Sequence, residues 1–182
     1  RIILQSNAVI DSNTPGSTVV SSIAGTGDLT ITGIGKTTLP GPNPFSGNVT
    51  VATGSGGSLQ IGGGSGSPDV LPDDGILDVQ AESSVRMEYG AGSNETIGAL
   101  NGSGTVWLPS VSSPPGNLLT VGGGDKSGSF EGLLTVPFRG LQRLVKIGTG
   151  TQSLTGTVND FSGGVRILGG VLEAAYIGSR SL

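Results

Sequence analysis

Apolar side chains alternate with small polar ones in short bursts along the whole chain. In DLTIT, for example, Leu29 and Ile31 share one face, and in NVTVA the same holds for Val49 and Val51. Further bursts of this kind are SLQIG (58–62), GTVWL (104–108), LLTVG (118–122), LLTVP (133–137), RLVKIG (143–148) and GVRILG (164–169). A period of two residues predicts short, half-buried β-strands. The glycine pairs and triplets between the bursts predict tight turns.

No segment of the sequence has a clear helical pattern of apolar residues. The best candidate is ESSVRMEYGA (82–91), where Val85, Met87 and Tyr89 fit strand alternation just as well. Glycine, at 35 of 182 residues, and proline, at 10, also disfavour helices, because they are the two residues that cost most in a helix interior. The sequence therefore predicts an all-β protein.

One nine-residue phrase occurs twice, as NPFSGNVTV (43–51) and NDFSGGVRI (159–167), and uses two of the four phenylalanines. Each copy follows a Gly-x-Gly and strand segment and precedes a Gly-Gly and strand segment. The spacing differs, since Gly27 and Phe45 are 18 residues apart and Gly150 and Phe161 are 11 apart. We attribute the excess to an outward loop around GKTTLPGP, because self-similar order with variable loops is typical of solenoids. The overlapping GIGKTTL lacks the first glycine of a phosphate-binding loop and predicts only a turn or loop.

The order Gly-x-Gly-x-Leu-x-Ile-x-Gly, Asn-x-Phe-Ser-Gly, Gly-Gly-x-Leu resembles the passenger-associated strand repeat of bacterial autotransporters. The segments 95–108 and 128–134 resemble the connections between such repeats. The resemblance implies a right-handed parallel β-helix of a surface protein. Residues 1–22 and 63–92 match this pattern poorly.

We therefore predict one β-solenoid domain, a parallel β-helix, over residues 1–182. The repeat-like copies cover about 25–62 and 148–178, and connecting rungs cover 63–147. At about 20–25 residues per rung the chain makes about seven to nine rungs. Phe45 and Phe161 are predicted to pack inward at corresponding corners of different rungs.

The composition narrows the range of functions. The chain has no histidine and no cysteine, which removes imidazole and thiolate catalysis and the corresponding metal ligands. The net charge is −4 and the basic residues are not clustered, so nothing predicts nucleic-acid binding. No apolar run approaches the roughly 18 residues of a membrane span. We expect no cofactor, and we expect RIILQSNAVI to begin a processed form or a fragment.

The densest carboxylate stretch is PDVLPDDGILD (68–78), with weak Ca²⁺ candidates at Asp73, Asp74 and Asp78. The same segment also predicts an ordinary β-turn at Pro72-Asp73-Asp74-Gly75. A carbohydrate-cleaving site would need these acids and Arg86 to converge on one groove. Trp107, Tyr89 and Tyr176 are either sugar-stacking residues or isolated packing anchors.

The two ends of a solenoid expose strand edges, and neither end of this sequence has an obvious polar cap. Residues 1–100 carry nine acids and three bases, or −6, whereas residues 101–182 carry four acids and six bases, or +2. Copies stacked head to tail would bring these charges together. The candidate contact residues are Ile2, Ile3, Leu4, Val171 and Leu172.

Two classes of function follow. The main hypothesis is a non-enzymatic, extracellular bacterial structural protein, either a cell-surface fibre subunit that assembles with itself or, as the alternative, the stalk of an autotransporter adhesin. The second hypothesis is a β-helix that binds or cleaves carbohydrate, with surface glycans as partners.

Overall fold

The structure is a computed structural model that describes residues 1–63, 69–88, 94–108, 117–135 and 141–175. All strand pairs in it are parallel, and each strand pairs with the strand one turn further along the chain rather than with its immediate successor. The chain therefore coils as a β-solenoid of about seven turns, which confirms the predicted fold class.

The described strands form three faces. The first face is one eight-stranded sheet. Its strands, in order, are β2 (Ala8–Asp11), β5 (Leu29–Thr32), β7 (Val49–Ala52), β9 (Ile76–Val79), β12 (Ala99–Gly102), β15 (Gly128–Phe130), β18 (Thr151–Leu154) and β20 (Val171–Ala174).

The second face is a six-stranded sheet. It consists of β3 (Ser17–Val19), β6 (Lys36–Leu39), β8 (Ser58–Gly62), β10 (Ser84–Glu88), β13 (Thr105–Trp107) and β16 (Leu133–Thr135). The third face begins with the pair β1 (Ile2–Leu4) and β4 (Ile23–Gly25) and ends with the sheet of β11 (Asn94–Ile97), β14 (Asn117–Val121), β17 (Gln142–Lys146) and β19 (Gly164–Ile167).

The core is built from inward-pointing positions that stack from rung to rung. On the first face Leu29, Val49, Leu77 and Leu100 form one column, and each is at most 1% exposed. Alternation puts every second residue of a strand inside and leaves its neighbour outside, as in β5 with its buried and half-buried residues in turn. The predicted strands are present, including β10 in the segment that was the best helix candidate, but β19 has no buried residue and its Ile167 is 54% exposed.

Successive rungs differ in length. The paired residues Ser17 and Lys36 are 19 residues apart, whereas Gly102 and Phe130 are 28 apart. The structure corrects one expectation here, because the predicted outward loop around GKTTL is strand β6 of the second face, with Thr37 and Leu39 fully buried. The longer spacing of the first repeat copy therefore comes from a strand that spans one face of the coil.

Phe45 and Phe161 are both buried beside corners, at 4% and 3% exposed. Phe45 is bridged to Gly25 on the third face and is followed by β7 of the first face. Phe161 follows Asn159, which is bridged to Leu134 of the second face, and is followed by β19 of the third face. The two phrases thus lie at different corners rather than corresponding ones. The phrase specifies a turn into a strand, and any corner of a three-sided coil needs such a turn.

Candidate functional site

The carboxylate-rich segment lies at the corner between the third and first faces. The Gly75 N–H donates to the Pro72 carbonyl at 3.0 Å, so Pro72-Asp73-Asp74-Gly75 forms a hydrogen-bonded turn. Asp78 lies on the outer side of β9 and accepts a hydrogen bond from Gln80 Nε2 at 2.6 Å. Within the described ranges, no three acidic side chains come together to form a metal site.

Asp69 precedes this turn and is half-buried. Its Oδ1 accepts a hydrogen bond from the Thr96 N–H at 2.8 Å. Burial raises the pKa of Asp69 from 3.8 to about 6; the Thr96 hydrogen bond opposes this shift, and the neighbouring Asp73 carboxylate adds to it. Close by, the buried carboxylate of Glu95 accepts hydrogen bonds from the N–H groups of Val70 and Leu71 at 3.0 and 2.8 Å. The acids at this corner hold backbone in place.

The residues required for a carbohydrate-cleaving site do not converge. Asp73 and Asp74 lie in the corner turn, Asp78 on the first face and Arg86 on the second face. The Arg86 guanidinium instead lies 5.3 Å from the centre of the Trp107 ring, its neighbour on the next rung. This contact is a cation–π pair on the outside of the second face. Tyr89 and Tyr176 lie outside the described residues.

The assembly candidates lie on the two outermost described rungs. Ile2 and Ile3 of β1 are 38% and 61% exposed, whereas Leu4 is buried at 3%. At the other end Val171 of β20 is 48% exposed, and Leu172 packs partly against the core. Both outermost rungs therefore present apolar side chains.

A groove runs along the outside of the first face over the last four described rungs. It has a volume of about 860 Å³ and opens to solvent along its length. Most of its lining residues have small side chains, and carbon atoms contribute more of the exposed surface than polar atoms do: Asn101, Gly102, Ser103, Ser127, Gly128, Ser129, Glu131, Thr151, Ser153 and Glu173. We call this feature the first-face groove.

Register explains how residues far apart in sequence line the first-face groove. Gly102 pairs with Phe130, which sets Asn101 beside Ser129; Ser129 in turn pairs with Ser153, and Ser153 with Glu173. Outward positions of four successive rungs thus form one polar column. Sequence analysis missed this column, because each of its residues belongs to a different strand segment. No single segment shows which residues of other rungs lie beside it.

Two buried side chains that sequence analysis also missed join rungs together. The Gln152 amide reaches past its neighbour rung and bonds both backbone groups of Leu100, accepting from its N–H at 3.0 Å and donating to its carbonyl at 2.8 Å. Asn43 accepts from the Ile23 N–H at 2.9 Å and donates to the carbonyls of Gly41 and Val70. These contacts satisfy backbone groups that the strand ladders leave unpaired.

A buried lysine occupies a corner of the coil. Lys146 at the end of β17 is fully buried, and its ammonium group donates to the carbonyls of Ile147 and Gly148. Burial lowers the pKa of Lys146, and the Asp125 carboxylate partly opposes this shift. These contacts give Lys146 a role in fixing the corner between the third and first faces.

Comparison with known protein families finds a match for the last part of the described coil. Residues 144–174 match the family described as Passenger-associated-transport-repeat. The chain carries a passenger-associated transport repeat. The predicted resemblance to the autotransporter passenger repeats is thereby confirmed. The repeat runs from Leu144 in β17 through β18, Phe161 and β19 to Ala174 at the end of β20, which is about one and a half turns of the solenoid, since Leu144 pairs with Val165.

A longer similarity extends over most of the chain. Over 160 residues, or 86% of its length, the chain is 33% identical to the protein named Adhesin BmaC autotransporter from Brucella suis biovar 1 (strain 1330). The chain spans 4% of the length of that relative. No solved structure matches the chain. No helix among the described residues has the length and apolar character needed to cross a membrane.

Proposed function

We propose that this chain is a non-enzymatic β-solenoid segment of the passenger of a bacterial surface adhesin, and that it acts as a stalk. The observation that carries the proposal is the transport repeat at residues 144–174, set in a continuous parallel coil of about seven turns. The similarity to an autotransporter adhesin supports the same assignment. These comparisons favour the passenger hypothesis over the hypothesis of a fibre subunit.

A stalk needs length and rigidity, and the coil supplies both. Rungs stack about 4.8 Å apart, so seven turns extend about 34 Å. The backbone hydrogen bonds run along the axis from rung to rung, and apolar columns such as that of Leu29, Val49, Leu77 and Leu100 lie beside them over four rungs. Strand pairing joins each rung only to the rungs directly before and after it, so the same construction extends to any number of rungs.

Surface display is tested by cysteine labelling in the native bacterium, which is convenient because this chain has no cysteine of its own. Thr50→Cys places a thiol on the outside of β7, and Val51→Cys places one in the core of the same strand. A membrane-impermeant maleimide is expected to label the Thr50→Cys protein on intact cells. The Val51→Cys control is expected to react only after denaturation. Labelling of Thr50→Cys only after cell lysis would contradict the proposal.

A further inference from the structure

We propose that the coil has a joint at the rung that contains β9, where the third face opens while the first and second faces stay paired. This inference goes beyond the proposed stalk, because a uniform coil would be equally stiff along its whole length. A joint lets a stalk bend at one defined place. Its basis is the way in which the three faces are connected across this rung, which we call the β9 rung (residues 69–88).

The first and second faces run through the β9 rung as regular strand ladders. On the first face β9 pairs with β7 on one side and with β12 on the other. On the second face β10 pairs in the same way with β8 and β13. At the corner that leads into the first face, Asn48 Oδ1 also accepts a hydrogen bond from the Ile76 N–H at 2.9 Å. Because parallel ladders bond at regular intervals along both strands, these two faces hold the neighbouring rungs at a fixed spacing.

The third face is interrupted at the β9 rung. The described residues before β9, numbers 69–75, include no strand, whereas the preceding rung has Phe45 bridged to Gly25 and the following rung has β11. In the described part of the chain, residues 69–74 make no backbone–backbone hydrogen bond to another rung. Side chains therefore take the place of the ladder on this face.

Most of these side-chain contacts hold the segment to the following rung. Glu95 of that rung accepts hydrogen bonds from the N–H groups of Val70 and Leu71 at 3.0 and 2.8 Å. A third bond joins the Thr96 N–H to Asp69 Oδ1 at 2.8 Å. The segment thus belongs mechanically to the part of the coil that follows it.

The contact with the preceding rung is much weaker. Among the described residues, a single hydrogen bond crosses this boundary, from Asn43 Nδ2 to the Val70 carbonyl at 3.2 Å, and the same nitrogen also donates to the Gly41 carbonyl at 2.7 Å. Packing is incomplete here as well, since Val49 of the preceding rung and Leu71 line a narrow gap that is too small to hold a water molecule. The third face is therefore weakest between Asn43 and Val70.

The free energy of opening depends on the contacts that must break. At the joint, opening breaks the Asn43 hydrogen bond and exposes Val70 and Leu71, which are 0% and 4% exposed. Elsewhere on the third face it breaks a ladder of four or five residue pairs, as between β11 and β14 or between β14 and β17. Regions with few bonds open locally before the rest of a protein unfolds, so the β9 rung is where the coil gives way first.

Native-state thiol labelling of the 182-residue chain tests the joint, because the chain has no cysteine of its own. Val70→Cys places a thiol at the joint, Val51→Cys one in the first-face core, and Leu144→Cys one in the third-face ladder; these three side chains are at most 1% exposed. We expect Val70→Cys to react with a small maleimide about tenfold faster than the other two, or more. Its rate is expected to change little with urea below the unfolding transition, whereas the other two rates follow global unfolding.

A second change weakens the joint itself. Asn43→Ala in the Val70→Cys protein removes the hydrogen bond across the joint and is expected to raise the labelling rate without urea about fivefold. Ser127→Ala is the matched control, because Ser127 Oγ accepts the Thr151 N–H at 2.9 Å between two other rungs, and it is expected to leave that rate unchanged.

Leu71→Cys is the second probe of the joint, used if circular dichroism shows that Val70→Cys does not fold. Equal labelling rates for the joint and the two core probes, or a joint rate that follows global unfolding, would overturn the proposal. Equal effects of Asn43→Ala and Ser127→Ala would overturn it too. Surface labelling of Thr50→Cys does not depend on these outcomes, so the stalk proposal is judged separately.

Discussion

The Gln152 side chain offers the sharpest test of how the rungs are held together. Strands β12 and β15 are paired only through Gly102 and Phe130, so the backbone of Leu100 lacks a strand partner on that side. The Gln152 amide supplies that partner from two rungs away and is itself 1% exposed. Gln152→Met keeps the length of the side chain and removes both hydrogen bonds to Leu100, together with the one that Gln152 Nε2 donates to the Ser153 carbonyl at 3.2 Å.

The expected loss follows from the two Leu100 groups that this change leaves unpaired. Each buried, unpaired backbone group costs about 1–3 kcal/mol, and the apolar thioether recovers part of that loss. We therefore expect the free energy of unfolding to fall by about 2–4 kcal/mol and the melting temperature to fall by about 5–15 °C. Thermal unfolding followed by circular dichroism measures the second quantity.

Amide hydrogen exchange gives a local measurement of the same effect. Exchange at the Leu100 N–H is expected to accelerate in Gln152→Met, since its acceptor is gone. Gln60→Met is the matched control, because Gln60 points outward from β8, and such surface changes stay within about 0.5 kcal/mol. An unchanged melting temperature together with unchanged exchange at Leu100 would refute the assigned role of Gln152.

Three further predictions concern the core, the corners and pH. Phe130→Ala removes a fully buried ring and is expected to lower the free energy of unfolding by about 3–5 kcal/mol, measured by urea denaturation; a loss under 1 kcal/mol would contradict this. Asn43→Ala leaves the buried Ile23 N–H unpaired and is expected to cost about 2–3 kcal/mol. Asn48→Ala, which removes an exposed hydrogen bond to the Ile76 N–H, is expected to cost about 1 kcal/mol or less in the same assay, and equal losses would refute the contrast. The folded-state pKa of Asp69, about 6, lies above its usual 3.8, so the folded state binds the extra proton and the free energy of unfolding is expected to fall as pH rises between these values. Urea denaturation across this range is expected to give a flatter profile for Asp69→Asn, and identical profiles would contradict the assignment.

Much of the local structure could be predicted from the sequence. Alternation in DLTIT placed Leu29 and Ile31 inside and Thr30 outside, because side chains on a strand point to opposite faces in turn. The recurrence of Asn-x-Phe-Ser-Gly predicted corners and a coil, and the transport repeat matched at residues 144–174 includes the second copy. These inferences need only a few neighbouring residues.

The arrangement of rungs was decided by the tertiary structure. Rung length varies from 19 to 28 residues, so the sequence does not show that Gln152 reaches Leu100, that Glu95 binds the backbone of Val70, or that Ser129 and Glu173 line one groove. The prediction that the two Phe-Ser-Gly phrases occupy corresponding corners was wrong for the same reason. Strand alternation is a local property of the backbone, whereas pairing between rungs depends on every turn and loop that lies between them.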